Sequence, residues 1–502
     1  MSYSNLKSGT DIRGVAADGF ENDPLFLSDK IIKQVALSFA DMLSERSGKT
    51  LSELKIAVGH DSRVSAERIS SAVKDALTSK GVSVVDCSLA STPAMFMCVI
   101  DLNCDGSVQI TASHHPWDRN GLKFFTPDGG FESEDITEIL TRAQSQPDSI
   151  TPDPSKVEQV DYMSQYAEHL RSMIKSGVGA EDYDHPLKGY KIIVDAGNGV
   201  GGFYANDVLA PLGADIDGSQ FLDPDGMFPN HIPNPEAPAA MASISKAVVQ
   251  SKADLGIIFD TDVDRAGCVY KNGDEINRNS LVALASAIAL DGKSGVIVTD
   301  SVTSDGLREF IESLGGEHYR FKRGYKNVIN KQIELNKAGK FCPLAMETSG
   351  HAAFKENYYL DDGAYLMTKI IIYAAKHGGV DVIGDILSTL KQPEEADELR
   401  FGIKCDDFKS YGKQVLDDLV DYFSGKAGWQ IADDNRDGIR VSADSEHGNG
   451  WFLLRQSVHD PVMPYNVESV EPGGNKKITA AFYEFIKSKT ELDLNAIKEF
   501  LK

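Results

Sequence analysis

The sequence predicts an α/β protein built from several domains, and three observations carry that expectation. The chain has 502 residues, whereas single hydrophobic cores stop growing at about 250 to 300, so roughly three or four domains are expected. Three segments repeat one design, an apolar run that opens into a Gly- or Asp-rich polar loop: residues 54–63 (LKIAVGHDSR), 190–202 (YKIIVDAGNGVGG) and 253–265 (ADLGIIFDTDVDR). Helical patterning accompanies them, as at 66–80 after the first. Such strand–loop–helix alternation predicts α/β units with largely parallel sheets. Ligands of such sheets gather at the carboxyl ends of the strands, where these polar loops lie.

Composition narrows the function classes. A hydrophobic content of 41% with 25% charged residues is that of an ordinary soluble globular protein. The net charge of −24 repels nucleic acid and anionic membrane surfaces, so neither is expected as a partner. No apolar stretch approaches the roughly 20 residues of a membrane span, and residues 1–11 lack the basic-then-apolar pattern of a secretory signal. The six cysteines are scattered without a C-x-x-C pair. That argues against zinc and a disulfide framework and predicts a reducing, cytoplasmic setting. An anionic small substrate stays compatible with the acidic balance if basic residues gather in one cleft, and the motifs below carry Arg and Lys repeatedly.

Along the chain, residues 144–158, rich in Ser, Pro and Asp, read as a linker. A second break falls at 230–238 (NHIPNPEAP), where prolines forbid regular structure. A helix over 363–376 is stopped by His377-Gly378-Gly379, and residues 391–399 (KQPEEADEL) read as a connector into a final domain. That domain mixes a helix around 413–423, a strand at 451–455 and a C-terminal helix.

Four loops and one turn carry the chemistry. Thr111-Ala112-Ser113-His114-His115-Pro116 follows a short strand at 107–110 and holds a serine exposed to an approaching phosphoryl group. His114 can donate to phosphate oxygens and Lys123 supplies charge. A helix-capping loop, or a metal site on the two histidines, fits the same residues. Asp260, Asp262 and Asp264 end the strand 255–259 and project to one side of an extended segment, three hard oxygen donors that suit magnesium. A calcium-hand loop would need Gly and Glu where Arg265 and Lys271 stand, so that alternative fails. Gly197, Gly199 and Gly202 form a G-x-G-x-x-G turn after strand 192–195, with Asp215 at the distance of a dinucleotide-binding acid. A tight turn without any ligand has the same glycines. Glu347 and Ser349, in Glu347-Thr348-Ser349-Gly350-His351, can bind neighbouring sugar hydroxyls. Arg455 and Ser457, after the strand 451–454, can hold a phosphate. A capping loop and a surface turn are the plainer readings of these last two.

In this order, the motifs resemble the α-D-phosphohexomutase superfamily over nearly the whole chain, closest to its phosphomannomutase/phosphoglucomutase branch. The family's T-A-S-H-N-P is matched at 111–116 with His115 for Asn, and its D-G-D-A-D-R at 260–265 with all three carboxylates kept. Its G-E-x-S-G-H is matched at 347–351 with Met346 before it. Residues 9–14 (GTDIRG) and 59–63 (GHDSR) resemble its two arginine-bearing loops. Residues 228–238 (FPNHIPNPEAP) and 354–363 (FKENYYLDDG) point to the branch. Two departures stand out. The last loop keeps Arg455 and Ser457, but Val458, His459 and Asp460 replace Gly-Thr-Glu and Pro464 stands at the second arginine. Arg323-Gly324-Tyr325-Lys326 occupies the place of a common Gly-His.

The resemblance implies four domains around a central cleft: three α/β sandwich-type domains with mixed sheets and a smaller α+β C-terminal domain. Their expected spans are 1–150, 158–254, 255–378 and 398–502. It implies an isomerase that moves phosphate between the 1- and 6-positions of glucose or mannose phosphate through phosphorylated Ser113 and a bisphosphate intermediate. Magnesium would be held by Ser113, Asp260, Asp262 and Asp264, with glucose 1,6-bisphosphate as activator. Arg13, His114 and Lys123 join Ser113 in catalysis, Lys123 as acid and base with its pKa lowered by neighbouring arginines. Arg265, Tyr325, Lys326, Glu347, Ser349, His351, Arg455, Ser457 and His459 bind substrate, His459 compensating for the lost arginine. The chain is expected as monomer or homodimer. A non-catalytic phosphosugar-binding protein, a phosphatase, and a mutase for another sugar such as glucosamine phosphate are the alternatives.

Overall fold

A computed structural model describes residues 3–457 and 460–502. The chain divides into two compact units, Met1–Leu281 with Ser349–Gly384, and Val282–Thr348 with Asp385–Lys502.

The first unit opens with a mixed sheet ordered Lys7–Ser8, Asp11–Val15, Arg119–Thr126, Gly106–Ile110, Lys55–His60, Ser83–Leu89 and Val157–Gln159. Lys55–His60 runs parallel to both of its neighbours, while Arg119–Thr126 lies antiparallel between Asp11–Val15 and Gly106–Ile110. Alternation sorts the faces. Ile56 and Val58 enter a core with the helices Asp29–Ser47, Ala66–Ser79 and Ser133–Ala143. Gly59 points the other way, where a Cβ would stand 2.4 Å from the sulfur of Met95 on the helix Thr92–Asp101. The stretch read as a linker ends inside this sheet, because Val157–Gln159 pairs in parallel with Ser83–Leu89.

A second sheet sets Leu255–Phe259 parallel to Ile192–Asp195 and antiparallel to Ala266–Tyr270. The glycine turn that follows Ile192–Asp195 is explained by packing. A Cβ on Gly199 would lie 2.6 Å from the carbonyl oxygen of Thr261, one on Gly201 would meet the Phe259 ring at 2.8 Å, and one on Gly202 the oxygen of Leu222 at 2.2 Å. These glycines let one backbone lie against another, so the dinucleotide fingerprint has a structural cause. The expected helix after the turn begins as a π-helical segment, Tyr204–Leu209. The helix Gly363–Lys376 packs on Tyr162–Val178, and its N-cap Asp362 accepts the Tyr166 hydroxyl at 2.7 Å.

In the second unit, Val296–Asp300 is parallel to both Glu317–Phe321 and Leu344–Met346. A separate antiparallel sheet runs Glu395–Gly402, Val462–Ser469, Gly450–Leu454, Ile439–Ala443 and Trp429–Ile431. Its core includes Phe401, Phe423, Phe452, Tyr465 and Phe482. The supposed connector at 391–399 thus ends in an edge strand, whose exposed charges suit an unpaired edge. The helix expected at 413–423 begins earlier, as Phe408–Phe423. Among the described residues no helix is long and apolar enough to cross a membrane. Within this unit Glu468 is 9% exposed and accepts the Trp451 indole N–H at 3.1 Å. Burial, opposed by Arg440, pushes its carboxyl up to about 7.

Two outcomes follow. Gly199→Ala places a methyl against backbone that cannot rotate away, and should destabilise the first unit by about 1–3 kcal/mol in urea unfolding. Glu468 has a folded pKa above its ordinary 4.5, so its contribution to stability falls as pH rises from about 4.5 to about 7 and is constant above. Below that window both states are protonated; within it only the unfolded chain ionises. Glu468→Gln keeps an acceptor for the indole, and its stability relative to the parent should rise between pH 5 and pH 7.5, by about 3 kcal/mol at most.

Candidate active site

The strand Gly106–Ile110 delivers Thr111 into a loop in which Ser113 adopts φ 50°, the left-handed region that a non-glycine residue seldom occupies. Buried side chains hold it there. The Thr111 hydroxyl donates to Asp61 at 2.7 Å and accepts the Ser113 backbone N–H at 2.9 Å. The guanidinium of Arg63, wholly buried, donates to four carbonyls of the loop: Ser113 at 2.5 Å, His115 at 2.6 Å, Pro116 at 2.6 Å and Arg119 at 2.8 Å. Asp61 balances its charge from 3.3 Å, and the Phe228 ring lies 5.2 Å from it. Arg13, paired with Asp11 at 2.8 Å, reaches the Ala112 carbonyl at 3.5 Å.

The three aspartates occupy the hairpin loop between Leu255–Phe259 and Ala266–Tyr270, whose last pair is Phe259 with Ala266. The loop is also strained, since Val263, a β-branched residue, has φ 67°. It persists because its surroundings clasp it. Val200 N–H donates to Thr261 O at 2.9 Å, Gly363 N–H to Val263 O at 3.0 Å, and Thr92 N–H to Asp262 O at 2.9 Å.

Ser113 and this hairpin meet. The Ser113 hydroxyl donates to Asp260 at 3.0 Å and accepts from Arg265 at 3.1 Å. Arg265, 2% exposed, also grips Asp260 at 3.1 Å and donates to Nδ1 of His114 at 2.6 Å. A guanidinium can only donate, so His114 is neutral at Nδ1 and carries its proton on Nε2. Burial, with Arg265 next, pushes His114 down to about 2. Burial and Arg13 push His115 down to about 3. Lys123 lies 2.5 Å from Asp264 and 3.5 Å from Asp262. Its ion-pair partners include these carboxylates, where the sequence predicts arginines beside it. His351 forms an ion pair with Asp361. Burial lowers its pKa, but Asp361 and Asp264 raise it more, to about 9.

Asp260, Asp262 and Asp264 are each at most 1% exposed, with one ligand oxygen apiece within 4.8 Å of the others. Burial, then the Asp264 charge, pushes Asp260 well up. Burial also works to raise Asp264, but Lys123, His351 and Arg265 outweigh it and hold that carboxyl far down. Oδ1 of Asp262 and Oδ1 of Asp264 are buried without hydrogen-bond partners. Buried carboxylate oxygens with no donor are costly, and two such oxygens with a third carboxylate beside them suit a hard cation. The residues present therefore fit a metal ion.

The remaining candidates lie as follows. Ser349, 7% exposed, precedes His351 in the first unit. In the second unit, Glu347 accepts the Gly324 N–H at 2.5 Å, and Tyr325 and Lys326 open the helix Tyr325–Lys337. Arg455 is 8% exposed and its Nε has no hydrogen-bond partner among the described residues. Burial and then the charge of Arg323 lower its pKa, so two cations share this region. The Ser457 hydroxyl accepts the Asp460 N–H at 3.3 Å. Val458 and His459 lie outside the described residues. Sequence reasoning gave Arg63, Asp61, Thr92, Asp361 and Arg323 no part in the site. Asp61 and Arg63 lay in GHDSR, Asp361 in FKENYYLDDG and Arg323 in the Arg323–Lys326 run already noted, and only Thr92 lay in no motif.

Comparison with known proteins agrees with this architecture. Residues 5–149, 164–273 and 277–390 match the family descriptions of phosphoglucomutase/phosphomannomutase α/β/α domains I, II and III. A phosphoglucomutase of Neisseria meningitidis serogroup A is 29% identical, over 96% of each chain. A phosphoglucosamine mutase of Nautilia profundicola is 30% identical, over 74% of this chain and 79% of the relative. The crystal structure of a phosphoglucomutase/phosphomannomutase family protein from Burkholderia thailandensis superposes with a TM-score of 0.78 at 25% identity, over 97% of this chain and 98% of that one. With three successive domain matches and relatives that span nearly its whole length, the chain belongs to the phosphoglucomutase/phosphomannomutase family and is an isomerase of the phosphohexomutase kind.

Proposed function

We propose that the protein moves a phosphoryl group between the 1- and 6-positions of a hexose phosphate, glucose or mannose phosphate, through phosphorylated Ser113 and a hexose bisphosphate. One observation carries this reading: the Ser113 hydroxyl is buried against Asp260 and Arg265, in a strained loop that four hydrogen bonds from Arg63 hold in place. A nucleophile fixed this way approaches phosphorus in one orientation, which is the main catalytic need of phosphoryl transfer.

In the first half-reaction a sugar hydroxyl oxygen bonds to phosphorus and the bond from phosphorus to Ser113 Oγ breaks. In the second the bisphosphate, turned around, returns its other phosphoryl group to Ser113 and leaves as the isomeric monophosphate. The hydroxyl proton passes to the cluster of Lys123 and Asp264, 2.5 Å apart, and returns in the second half. Arg265 bridges Asp260 and Ser113 and balances charge on the transferring group. Magnesium would be held by Asp260, Asp262 and Asp264 with the phosphoserine, and when bound it neutralises phosphoryl oxygens. The substrate's other phosphate is the ligand of Arg455, Ser457 and Lys326, with Arg323 supplying the charge that Pro464 lacks. Glu347 and Ser349 take ring hydroxyls. We carry the division into four domains, expected at 1–150, 158–254, 255–378 and 398–502, with this reading, the second extended past 254 because Leu255–Phe259 pairs with Ile192–Asp195.

Phosphorus NMR tests it. With magnesium and a trace of glucose 1,6-bisphosphate, glucose 1-phosphate or mannose 1-phosphate should convert to the 6-phosphate. Ser113→Ala should abolish conversion, at least 1000-fold below the parent, because it removes the nucleophile on which both half-reactions depend. Chelation by EDTA should stop the parent and added magnesium restore it. Release of inorganic phosphate in place of the isomer would show a phosphatase, and conversion that survives Ser113→Ala would sink the phosphoserine route.

A further inference from the structure

The helix Thr92–Asp101 starts against the aspartate hairpin, 170 residues away in sequence. Two bonds join them, and they do different things. The Thr92 backbone N–H donates to the Asp262 carbonyl at 2.9 Å and docks the helix on the hairpin backbone. The Thr92 hydroxyl donates to Oδ2 of the Asp262 carboxylate at 2.5 Å, both side chains being buried. A separation that short belongs to a charge-assisted O–H···O⁻ bond. Ser91, the residue before, caps the helix through its own hydroxyl, which accepts the Ala94 N–H at 3.2 Å. The helix therefore does not need the Thr92 hydroxyl for its cap.

A carboxylate on a strained loop can rotate, and which oxygen it offers decides whether it ligates. At Asp262 the choice is made: Thr92 holds Oδ2, with Lys123 at 3.5 Å from the same atom, and Oδ1 is left buried without a partner. From this we infer that Thr92 is a positioning residue whose hydroxyl locks the Asp262 carboxylate so that Oδ1 alone is offered to the cation. The inference rests on the metal reading of the hairpin. Outer-shell hydrogen bonds of this type typically govern metal affinity by about 10- to 100-fold.

The test measures binding of manganese(II) to the full chain, from the paramagnetic resonance of the free ion, with magnesium as competitor. Thr92→Val keeps the shape and the backbone N–H but loses the donor, and should weaken binding about 10- to 100-fold. Thr92→Ala lacks the hydroxyl without the added methyl and should match it. Thr92→Ser restores the donor and should bind within about 3-fold of the parent, a rescue that helix packing alone would not produce. In EDTA all three should unfold in one cooperative transition, the valine and alanine variants at a lower midpoint than the serine variant because they lose a bond to a buried carboxylate. If the valine and alanine variants bind as tightly as the parent, or the serine variant as weakly as they do, the positioning role is overturned while the metal site stands. If the parent binds no better than a chain with all three aspartates changed to asparagine, the metal reading fails and this inference with it.

Discussion

Placing three carboxylates out of water within 4.8 Å of one another is the demand that the first unit is arranged to meet. Like charges in a low-dielectric setting repel, and an uncompensated buried charge costs several kcal/mol. Each neighbouring element answers part of that cost with one group. The strand Arg119–Thr126 brings Lys123, the hairpin brings its own Arg265, the segment after residue 348 brings protonated His351, and the helix Thr92–Asp101 brings a hydroxyl. Backbone from three directions closes on the same loop, at Val200, Thr92 and Gly363. Gly199 and Gly363 are glycines there because a Cβ would strike the hairpin backbone at 2.6 and 2.7 Å.

Strain at the two facing loops follows from the same demand. Ser113 and Val263 both hold positive φ, at about 1–3 kcal/mol each. Arg63 answers for the first, since one planar fork reaches four carbonyls that no lysine could gather. The second is held by the Gly363 N–H on the Val263 carbonyl. The serine is therefore aimed from beneath, by groups that do not touch its hydroxyl.

Much of this was legible in the sequence, for reasons that also mark where legibility stopped. Alternating aspartates after an apolar strand predict donors on one side of an extended segment, whereas the structure brings Asp260, Asp262 and Asp264 together in a hairpin loop that turns at Val263. The bounds of Ile192–Asp195, Leu255–Phe259 and Gly363–Lys376 were readable because apolar runs there end abruptly at Asp, Gly or His. Thr92 was not readable, since Ser-Thr-Pro before a helix signals only a cap and its partner lies 170 residues on. Asp361 was hidden because nothing in the run FKENYYLDDG marks which of its acids turns back to pair with His351. The GxGxxG turn left two readings open because a short pattern cannot tell a phosphate from a backbone as the thing the glycines make room for. Val157–Gln159 was missed because polar residues can add an edge strand through backbone bonds alone.

The last loop shows how a departure from a family pattern can be absorbed elsewhere. Where the pattern has a second arginine, Pro464 sits in the strand Val462–Ser469 and its carbonyl accepts the Arg455 N–H at 3.1 Å. That position fixes the backbone of the first arginine and brings no charge of its own. The nearby cation is instead Arg323, whose backbone N–H is anchored on Asp437 at 3.1 Å, while Asp437 also takes the Ser301 hydroxyl at 2.7 Å. Burial and the Arg323 charge hold the protonation of Arg455 down, while the carboxylates of Asp437, Glu398 and Asp300 work against them. An anion that satisfies both must meet Arg455 beside one strand and Arg323 beside the start of a helix. On the proposed reading, the fit of a phosphate ester would depend on the spacing of two elements, which a motif read along a single loop cannot express.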